Sequence, residues 1–291
     1  METQDWLILK VLFHTKNITK AAQTLFLSQP AITHRLRHME EEFGVTIVQR
    51  ASKGVHFTPQ GEYLAKAADA MLVQFRQLKD DLLNMEDAVT GTLRLGSAHV
   101  FTKHRLPGLL KVFKNNYPNV EFKVTTTRSK DIFSLLYKQD IQVGFIRGAS
   151  GWNGEKHLLF EEAICIASKE PFDIMELPQL PRIDYQTDPT IQALIDNWWR
   201  ETYPVPPLIS MNVDRVDICK EMILNGLGYA FLPDILVNES DNLYKYIITD
   251  KAGKPILRQT WMIYQNTAIE TNVVNAFVKC VKAINFKTFF P

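Results

Sequence analysis

The stretch that decides the fold is residues 17–44, NITKAAQTLFLSQPAITHRLRHMEEEFG. Ser28 is a favourable helix N-cap, and Pro30 is accepted in a first helical turn because the N–H it lacks would have no helical partner there. Apolar residues then recur every three or four positions: Ile32, Leu36, Met39 and Phe43. Gly44 suits the left-handed residue that ends many helices. This half of the stretch therefore predicts an amphipathic helix.

A shorter helix precedes it. Asn17 or Thr19 can cap this first helix, and the small side chains of Ala21 and Ala22 allow another helix to cross closely. Two helices crossing after a tight turn at 26–27 form a helix-turn-helix, whose second helix enters the major groove of DNA. The side chains expected to contact DNA are Ser28, Gln29, Pro30, Thr33, His34, Arg35 and Arg37. The alternative is an ordinary amphipathic helical hairpin with a solvated outer face.

These residues resemble the N-terminal domain of LysR-type transcriptional regulators. The resemblance rests on Ala21-Ala22, on 28–33 (SQPAIT), on 36–45 (LRHMEEEFGV), on Arg50 and on 58–61 (TPQG). His34 and Arg35 stand where the family often has Arg and Gln, and Phe26 occupies a turn position that is often polar. The resemblance implies a winged helix-turn-helix that binds double-stranded promoter DNA, and these departures leave the operator sequence open.

Two short β-rich runs, 45–50 and 55–58, flank Lys53-Gly54 and predict a hairpin. In a winged helix this hairpin is the wing. Its cations, Arg50 and Lys53, would then contact phosphate or the minor groove. A plain exposed loop with two solvated cations is the alternative.

A long helix is predicted after Thr58-Pro59, running without Gly or Pro from Glu62 to about Ala88. Its apolar residues are spaced alternately four and three apart: Leu64, Ala68, Met71, Phe75, Leu78, Leu82 and Met85. Such a stripe needs a partner helix, so we expect a homodimer through this segment, and the family often forms tetramers. Packing against the protein's own core is the alternative.

Composition narrows the class of protein. With 291 residues, two or three domains are expected, and a net charge of +1 means that DNA binding must come from a local patch. The three cysteines form no Cys-x-x-Cys pair, which predicts neither a disulfide framework nor a metal site. Buried thiols are the default, and redox sensing by Cys165 or Cys219 is the alternative. The N-terminus is not a signal peptide and no apolar run reaches about 18 residues, so a cytoplasmic protein is expected.

From residue 92 onward, short β runs alternate with helical patterns. This alternation predicts an open α/β domain of two halves with mainly parallel strands, and in the resemblance it is an effector-binding domain shaped like a periplasmic binding protein. The run 259–264 predicts a return strand, and residues 87–91 a hinge. The predicted domains are 1–58, 59–88 and 89–291, and the last divides into about 92–162 plus 266–291, and 163–265.

Open α/β sheets bind ligands beyond the carboxyl ends of their strands. The candidate effector-binding residues near those ends are Ser97, Ala98, His99, Thr102, Arg128, Ser129, Arg147 and Arg258. Ser97 and Thr102 would lie by a helix N-terminus, where free N–H groups favour anions. Arg147 and Arg258 could grip carboxylates from opposite walls. For each arginine the alternative is a surface cation or an interdomain salt bridge.

A narrower resemblance concerns the ligand. Segments 219–235 (CKEMILNGLGYAFLPDI) and 257–264 (LRQTWMIY) look like the group of catabolite control protein E, which senses citrate and controls citric-acid-cycle genes. It implies a di- or tricarboxylate effector and no resident cofactor. One competing hypothesis is an α/β enzyme with an accessory DNA-binding domain, but the sequence has no nucleophile elbow, metal-spaced cluster or P-loop. The other is a DNA-architectural scaffold, against which the large α/β domain argues.

Overall fold

Local capping decides where the helices of the N-terminal unit begin. A computed structural model describes residues 1–51, 54–86, 88–148 and 151–286, and this unit spans Met1–Ala88. Its elements are α1 (Thr3–Thr15), α2 (Ile18–Leu25), α3 (Gln29–Phe43), β1 (Val48–Ala51), β2 (Gly54–Phe57) and α4 (Pro59–Asn84). Asn17 accepts a hydrogen bond from Lys20 N and Ser28 accepts one from Ala31 N, so Asn17 rather than Thr19 caps α2. The predicted helix-turn-helix is confirmed.

The core of this unit lies between α1, α2 and α3. It contains Ile8, Leu9, Leu12, Ala21, Ala22, Ile32, Leu36, Met39 and Ile47. Phe43, the last member of the predicted stripe on α3, lies outside this core and is exposed. The entry to α4 packs so closely on residue 47 that a Cβ at Gly61 would lie 2.0 Å from the Ile47 carbonyl oxygen. Only glycine fits there, because the atom in the way belongs to the backbone.

The β1–β2 hairpin is held against the end of α1. Val55 N donates a hydrogen bond to the Lys16 carbonyl oxygen at 2.9 Å, and a Cβ at Gly54 would lie 2.3 Å from that oxygen. The ammonium of Lys16 lies 3.7 Å from the ring centroid of Phe13 and 4.6 Å from that of Phe57. These contacts fix the wing relative to the helix-turn-helix.

Helix α4 is shorter than predicted, since it ends at Asn84 rather than near Ala88. Ala65 and Ala68 are buried, and Lys10 on α1 pairs with Asp69 at 2.7 Å. The first turns of α4 therefore pack on the unit's own α1.

The C-terminal unit, Val89–Pro291, alternates strands and helices. Its strands are β3 (Gly91–Ser97), β4 (Val120–Thr126), β5 (Val143–Arg147), β6 (Glu155–Ser168), β7 (Arg182–Tyr185), β8 (Ile209–Val213), β9 (Tyr229–Pro233), β10 (Tyr244–Ile247) and β11 (Leu257–Tyr264). Its α-helices are α5 (His99–His104), α6 (Leu106–Asn116), α7 (Ser129–Tyr137), α8 (Pro189–Thr202), α9 (Val216–Leu224) and α10 (Asn272–Ala283). The predicted α/β domain is confirmed.

Two long strands join the halves of this unit. The strand order is β4-β3-β5-β11-β6-β9-β7-β8, with β10 also on β6. Within each half the pairs β3–β4, β3–β5, β7–β8 and β7–β9 are parallel, whereas β6 and β11 run antiparallel to their neighbours. Strand β6 pairs with β11 up to Ala163 and with β9 from Ile164, so it crosses from one half to the other.

The return strand lies with the first half. The sequence assigned residues up to 265 to the second half, but β11 pairs with β5 from Thr260 opposite Arg147 to Tyr264 opposite Val143. Met262 and Tyr264 are buried in the same core as the closing helix α10. The predicted boundary is therefore placed too late, because the chain re-enters the first half where β11 begins.

Candidate nucleic-acid interface and anion site

The outer face of α3 carries most of the predicted DNA contacts. Gln29, Pro30, His34 and Arg37 are exposed, as is the N-cap Ser28. Thr33 is half-buried, and its hydroxyl donates to the Gln29 carbonyl oxygen at 3.0 Å. The buried face of α3 has its side chains in the core, so these polar groups line the side that a DNA groove would meet.

Arg35 is engaged elsewhere. Its guanidinium lies 2.8 Å from Asp5 Oδ1 and 3.1 Å from Glu2 Oε2, and both interactions raise the pKa of Arg35. Asp5 is almost fully buried, so this pair ties α1 to α3. Arg35 therefore forms a structural ion pair inside the unit, and its DNA contact stays a prediction.

Both strands of the wing, β1 and β2, are described, but the residues between them are not. Arg50 lies opposite Val55 in the register of the hairpin. The side chain of Arg50 and the whole of Lys53 lie outside the described part of the chain, so their phosphate contacts stay predictions. At the start of β1, Glu40 accepts hydrogen bonds from the N–H groups of Ile47 and Val48 at 2.7 and 3.2 Å. This carboxylate fixes the hairpin to α3.

The apolar seam of α4 divides into two parts. Ala68 is buried in the core of the unit, and Leu64 packs against that core. The later members have exposed side chains: Met71 (46%), Phe75 (41%), Leu78 (55%), Leu82 (55%) and Met85 (80%). Only the beginning of the predicted stripe therefore packs against the protein's own core. The rest is a row of apolar side chains without cover in the described structure.

In the C-terminal unit, a small cavity lies where the tips of β3 and β5 meet β6 and β11. It is lined by Ala98, Val100, Phe101, His104, Arg105, Phe145, Ile146, Arg147, Phe160, Glu162, Ile235, Arg258 and Thr260. Its volume is about 10 Å³, which is room for a single water molecule. Both arginines expected to bind carboxylates line it.

Arg258 is held by a carboxylate of the protein itself. Its side chain is 2% exposed, and its Nε donates to Glu162 Oε1 at 2.6 Å while Nη2 contacts the same oxygen. Among the described residues, Arg258 Nη1 and Glu162 Oε2 are buried without a hydrogen-bond partner. Arg258 is therefore in a salt bridge within the domain, and its contact with a ligand stays a prediction. Two unpaired polar atoms facing a cavity also carry a free-energy cost.

Arg147 has no such partner. Its backbone N–H donates to Ser129 Oγ at 3.2 Å, but within the described chain its guanidinium makes no hydrogen bond or ion pair. Burial, and then the charge of Arg258, lowers the pKa of Arg147 to about 10. Arg147 is still protonated at neutral pH, so it is a partly buried cation without an ion pair among the described residues, although the nearby charges of Glu162 and Asp188 favour it.

The other predicted effector residues are not gathered at this cavity, apart from Ala98. Ser97 is fully buried, and Thr102 donates to the Ala98 carbonyl oxygen at 3.2 Å. Arg128 is exposed and lies 3.5 Å from Asp131, whereas Ser129 acts by holding the backbone of Arg147. These side chains do not line the cavity because they satisfy local backbone and helix contacts.

A wider cleft of about 120 Å³ adjoins the cavity and shares Val100 and His104 with it. His99 lines this cleft, together with Lys103, Arg215, Val216, Asp217, Lys220, Glu221, Leu236 and Asn238. Burial, followed by the charges of Lys103 and Lys220, lowers the pKa of His104. Sequence reasoning missed the residues of α9, because nothing local links them to the tip of β3.

The three cysteines of the described chain are free thiols. Burial raises the pKa of Cys165 and of Cys219 to about 12, so both remain thiols rather than reactive thiolates. Among the described residues, no three His, Cys, Asp or Glu side chains are arranged to hold a metal ion. None of the helices described is long and apolar enough to cross a lipid bilayer.

Comparison with known proteins covers both units. Residues 3–62 match the model of the bacterial regulatory helix-turn-helix protein, lysR family, and residues 86–284 match the LysR substrate binding domain. The uncharacterized HTH-type transcriptional regulator YraN of Bacillus subtilis is 40% identical over 282 residues, which are 97% of this chain and 98% of that protein. YkuM of the same organism, also an uncharacterized HTH-type transcriptional regulator, is 32% identical over 284 residues, 97% of each chain.

Solved structures share the fold. Full-length CbnR in complex with its target DNA aligns with a TM-score of 0.69 at 18% identity, over 97% of this chain and 99% of that one. The Vibrio cholerae virulence activator AphB aligns with a TM-score of 0.67 at 14% identity, over 98% and 100%. The exposed recognition helix, the effector domain of two halves and the two family matches agree: the chain belongs to the LysR family of DNA-binding transcriptional regulators and is not an enzyme.

Proposed function

We propose that this regulator responds to a small di- or tricarboxylate, such as citrate, bound at Arg147, and that it controls genes of central carbon metabolism as regulators of the catabolite control protein E group do. The observation that carries the proposal is the guanidinium of Arg147, a cation without a hydrogen bond or ion pair among the described residues at a cavity between two halves of a domain. An anion bound there would offset the cost of a partly buried charge that has no ion-pair partner among the described residues.

The charge of the cavity favours an anion with more than one negative charge. Three arginines line it, Arg105, Arg147 and Arg258, against the single carboxylate of Glu162, which leaves a net charge of plus two. A monocarboxylate would neutralise half of this charge, and a dianion would neutralise all of it. Arginine also presents a planar fork that matches a carboxylate with two parallel hydrogen bonds.

The size of the cavity requires an opening on binding. A volume of about 10 Å³ does not admit citrate, whereas the adjoining cleft offers about 120 Å³. The two halves are joined through β6 and β11, so rotation about these strands would merge the two spaces. The ligand then stabilises the opened arrangement, because it binds that arrangement and not the closed one.

The exposed seam of α4 would pair two chains and so set how their α3 helices are presented to DNA. We infer that two chains pair through Leu78, Leu82 and the other exposed apolar side chains, since an uncovered row of this length at heptad spacing is typical of a coiled-coil interface. Each homodimer presents two α3 helices, and a tetramer would join two such dimers. The effector then acts by changing the spacing or angle of the paired helices on promoter DNA, in the cytoplasm where that DNA lies.

Thermal unfolding with a panel of organic acids tests the effector site. At about 100 times its Kd, citrate should stabilise the wild-type protein by about 2.7 kcal/mol, which raises Tm by about 5–10 °C for a domain of this size. Arg147→Ala should abolish the shift. Arg128→Ala, which removes an exposed arginine outside the cavity, should leave it unchanged. If no di- or tricarboxylate shifts the wild-type Tm, the anion proposal is wrong.

Gel shifts on the region upstream of the protein's own gene test the DNA role. We expect preference for one sequence over unrelated duplex, and an affinity that falls with salt as phosphate counterions are released. Arg37→Ala should weaken binding because it removes an exposed cation of α3. A steep salt dependence without any sequence preference would instead indicate an architectural protein.

A further inference from the structure

Phe26 is in a conformation and a place that folding does not explain. It ends α2 in the left-handed region, with φ 55° and ψ 39°, where glycine or asparagine is favoured over a bulky side chain. Its side chain is 97% exposed, so the ring contributes nothing to the core. A glycine or asparagine would fit the backbone conformation better, and a polar side chain would fit the exposure better.

The adjacent residue shows which way the ring is turned. Leu27 immediately precedes the N-cap Ser28 and packs against the core that contains Ile32, four residues into α3. This is the arrangement of a hydrophobic staple, which fixes how the chain enters the helix. With Leu27 turned inward, Phe26 is left on the outside, next to the N-terminal end of α3.

The residues that follow Phe26 in the sequence are uncharged as far as the first turn of α3. The exposed residues that follow it, Ser28, Gln29 and Pro30, carry no charge. The first arginine after the turn is Arg35, which is paired with Asp5, and the next is Arg37. The leading end of α3 thus presents groups suited to base edges rather than to phosphates.

We propose that Phe26 is a specificity-determining residue, and that its ring contacts the 5-methyl group of a thymine in the major groove entered by α3. The N-terminal end of a recognition helix meets the base edges, and apolar contact by Phe is one of the ways in which the thymine methyl is read. Burial of the ring on DNA also removes it from water. This inference rests on the DNA-binding role and names one base that it recognises.

The test uses a duplex selected from a random pool by the full-length wild-type protein. Each thymine of one half-site is replaced in turn by uracil, which lacks only the 5-methyl group. At one position uracil should weaken wild-type binding by about fourfold, the factor that burial of one methyl-sized group gives.

Phe26→Ala should weaken binding to the thymine duplex by at least that factor, and its binding should not change when uracil replaces thymine at the same position. Phe26→Asn should behave like Phe26→Ala in binding without a loss of Tm, because asparagine accepts the left-handed conformation.

Phe43→Ala is the matched control, since it removes an exposed ring from the other end of α3. It should bind both duplexes as the wild-type protein does. If Phe43→Ala loses as much affinity as Phe26→Ala, or if Phe26→Ala binds normally, the proposal is wrong. It is also wrong if Phe26→Ala weakens binding equally on selected and unrelated duplexes, which would place the ring on the sugar-phosphate backbone. A wild-type protein that selects no sequence would overturn both this proposal and the recognition role of α3.

Discussion

Replacement of the buried carboxylate of Glu162 tests how the anion site is built. In the structure this carboxylate is the counter-ion of Arg258, which is 2% exposed, with Nε 2.6 Å from Glu162 Oε1. Breaking a buried pair by removing one partner costs about 3–5 kcal/mol, because the other charge stays buried. Glu162→Gln keeps an oxygen that accepts one hydrogen bond, so we expect about 3 kcal/mol. For a unit of this size, that lowers Tm by about 6–12 °C.

The same substitution should strengthen the response to a carboxylate ligand. Without Glu162 the net charge of the cavity rises from plus two to plus three, and a bound dianion then restores much of the lost compensation. Saturating citrate should therefore raise the Tm of Glu162→Gln by more than it raises that of the wild-type protein. Differential scanning fluorimetry with and without citrate measures both quantities.

Glu161→Gln is the matched control, since this neighbouring carboxylate is exposed and contacts the side-chain amide of Gln259. It should change neither the Tm without ligand nor the citrate shift. The reasoning is refuted if Glu162→Gln is as stable as Glu161→Gln, because the ion pair with Arg258 would then not be supporting a buried charge. A smaller citrate shift in Glu162→Gln than in the wild-type protein would refute the electrostatic part.

Three further perturbations address other parts of the chain. Gly61→Ala should cost about 1–3 kcal/mol in urea denaturation, because its Cβ would lie 2.0 Å from a backbone oxygen, whereas Gly44→Ala, with open space around it, should cost only about 1 kcal/mol. Leu78→Glu combined with Leu82→Glu should give a monomer in analytical ultracentrifugation, and a variant that stays dimeric would exclude this seam as the interface. Burial lowers the pKa of His104 below its ordinary 6.5, so the unfolded state takes up the proton first as pH falls. Stability should therefore drop as pH falls below about 6.5 and level off below the folded-state pKa, and it should drop less in His104→Asn.

What the sequence predicts well in the N-terminal unit is local. Asn17, Ser28 and Gly44 act within three or four residues of themselves, so their caps can be read from spacing. The ion pair between Arg35 and Asp5 joins residues 30 positions apart, on two helices whose relative placement depends on the whole core. The partner of Arg35 on α1 therefore cannot be predicted from the spacing of residues on α3.

In the C-terminal unit, too, local features could be predicted and contacts between distant residues could not. Arg147 was predicted at the tip of an apolar strand, and it lies there because parallel strands end at a common edge. Glu162 was missed because it meets Arg258 only through the register of β6 against β11, 96 positions apart. The first half of β6 carries only a weak strand pattern, since its charged residues, 155–156 and 161–162, interrupt the apolar pattern that marks the rest of the strand.

The Glu162–Arg258 pair lies where the two strands that join the halves change partner. Glu162 lies two residues before Ile164, where β6 leaves β11 and begins to pair with β9 of the other half. Arg258 is the second residue of β11, where the chain returns to the first half. An anion that competes with Glu162 for Arg258 would thus act where both connecting strands change partner. In the proposed function, a ligand held there by Arg147 would need to move only the ends of two strands to alter the angle between the halves.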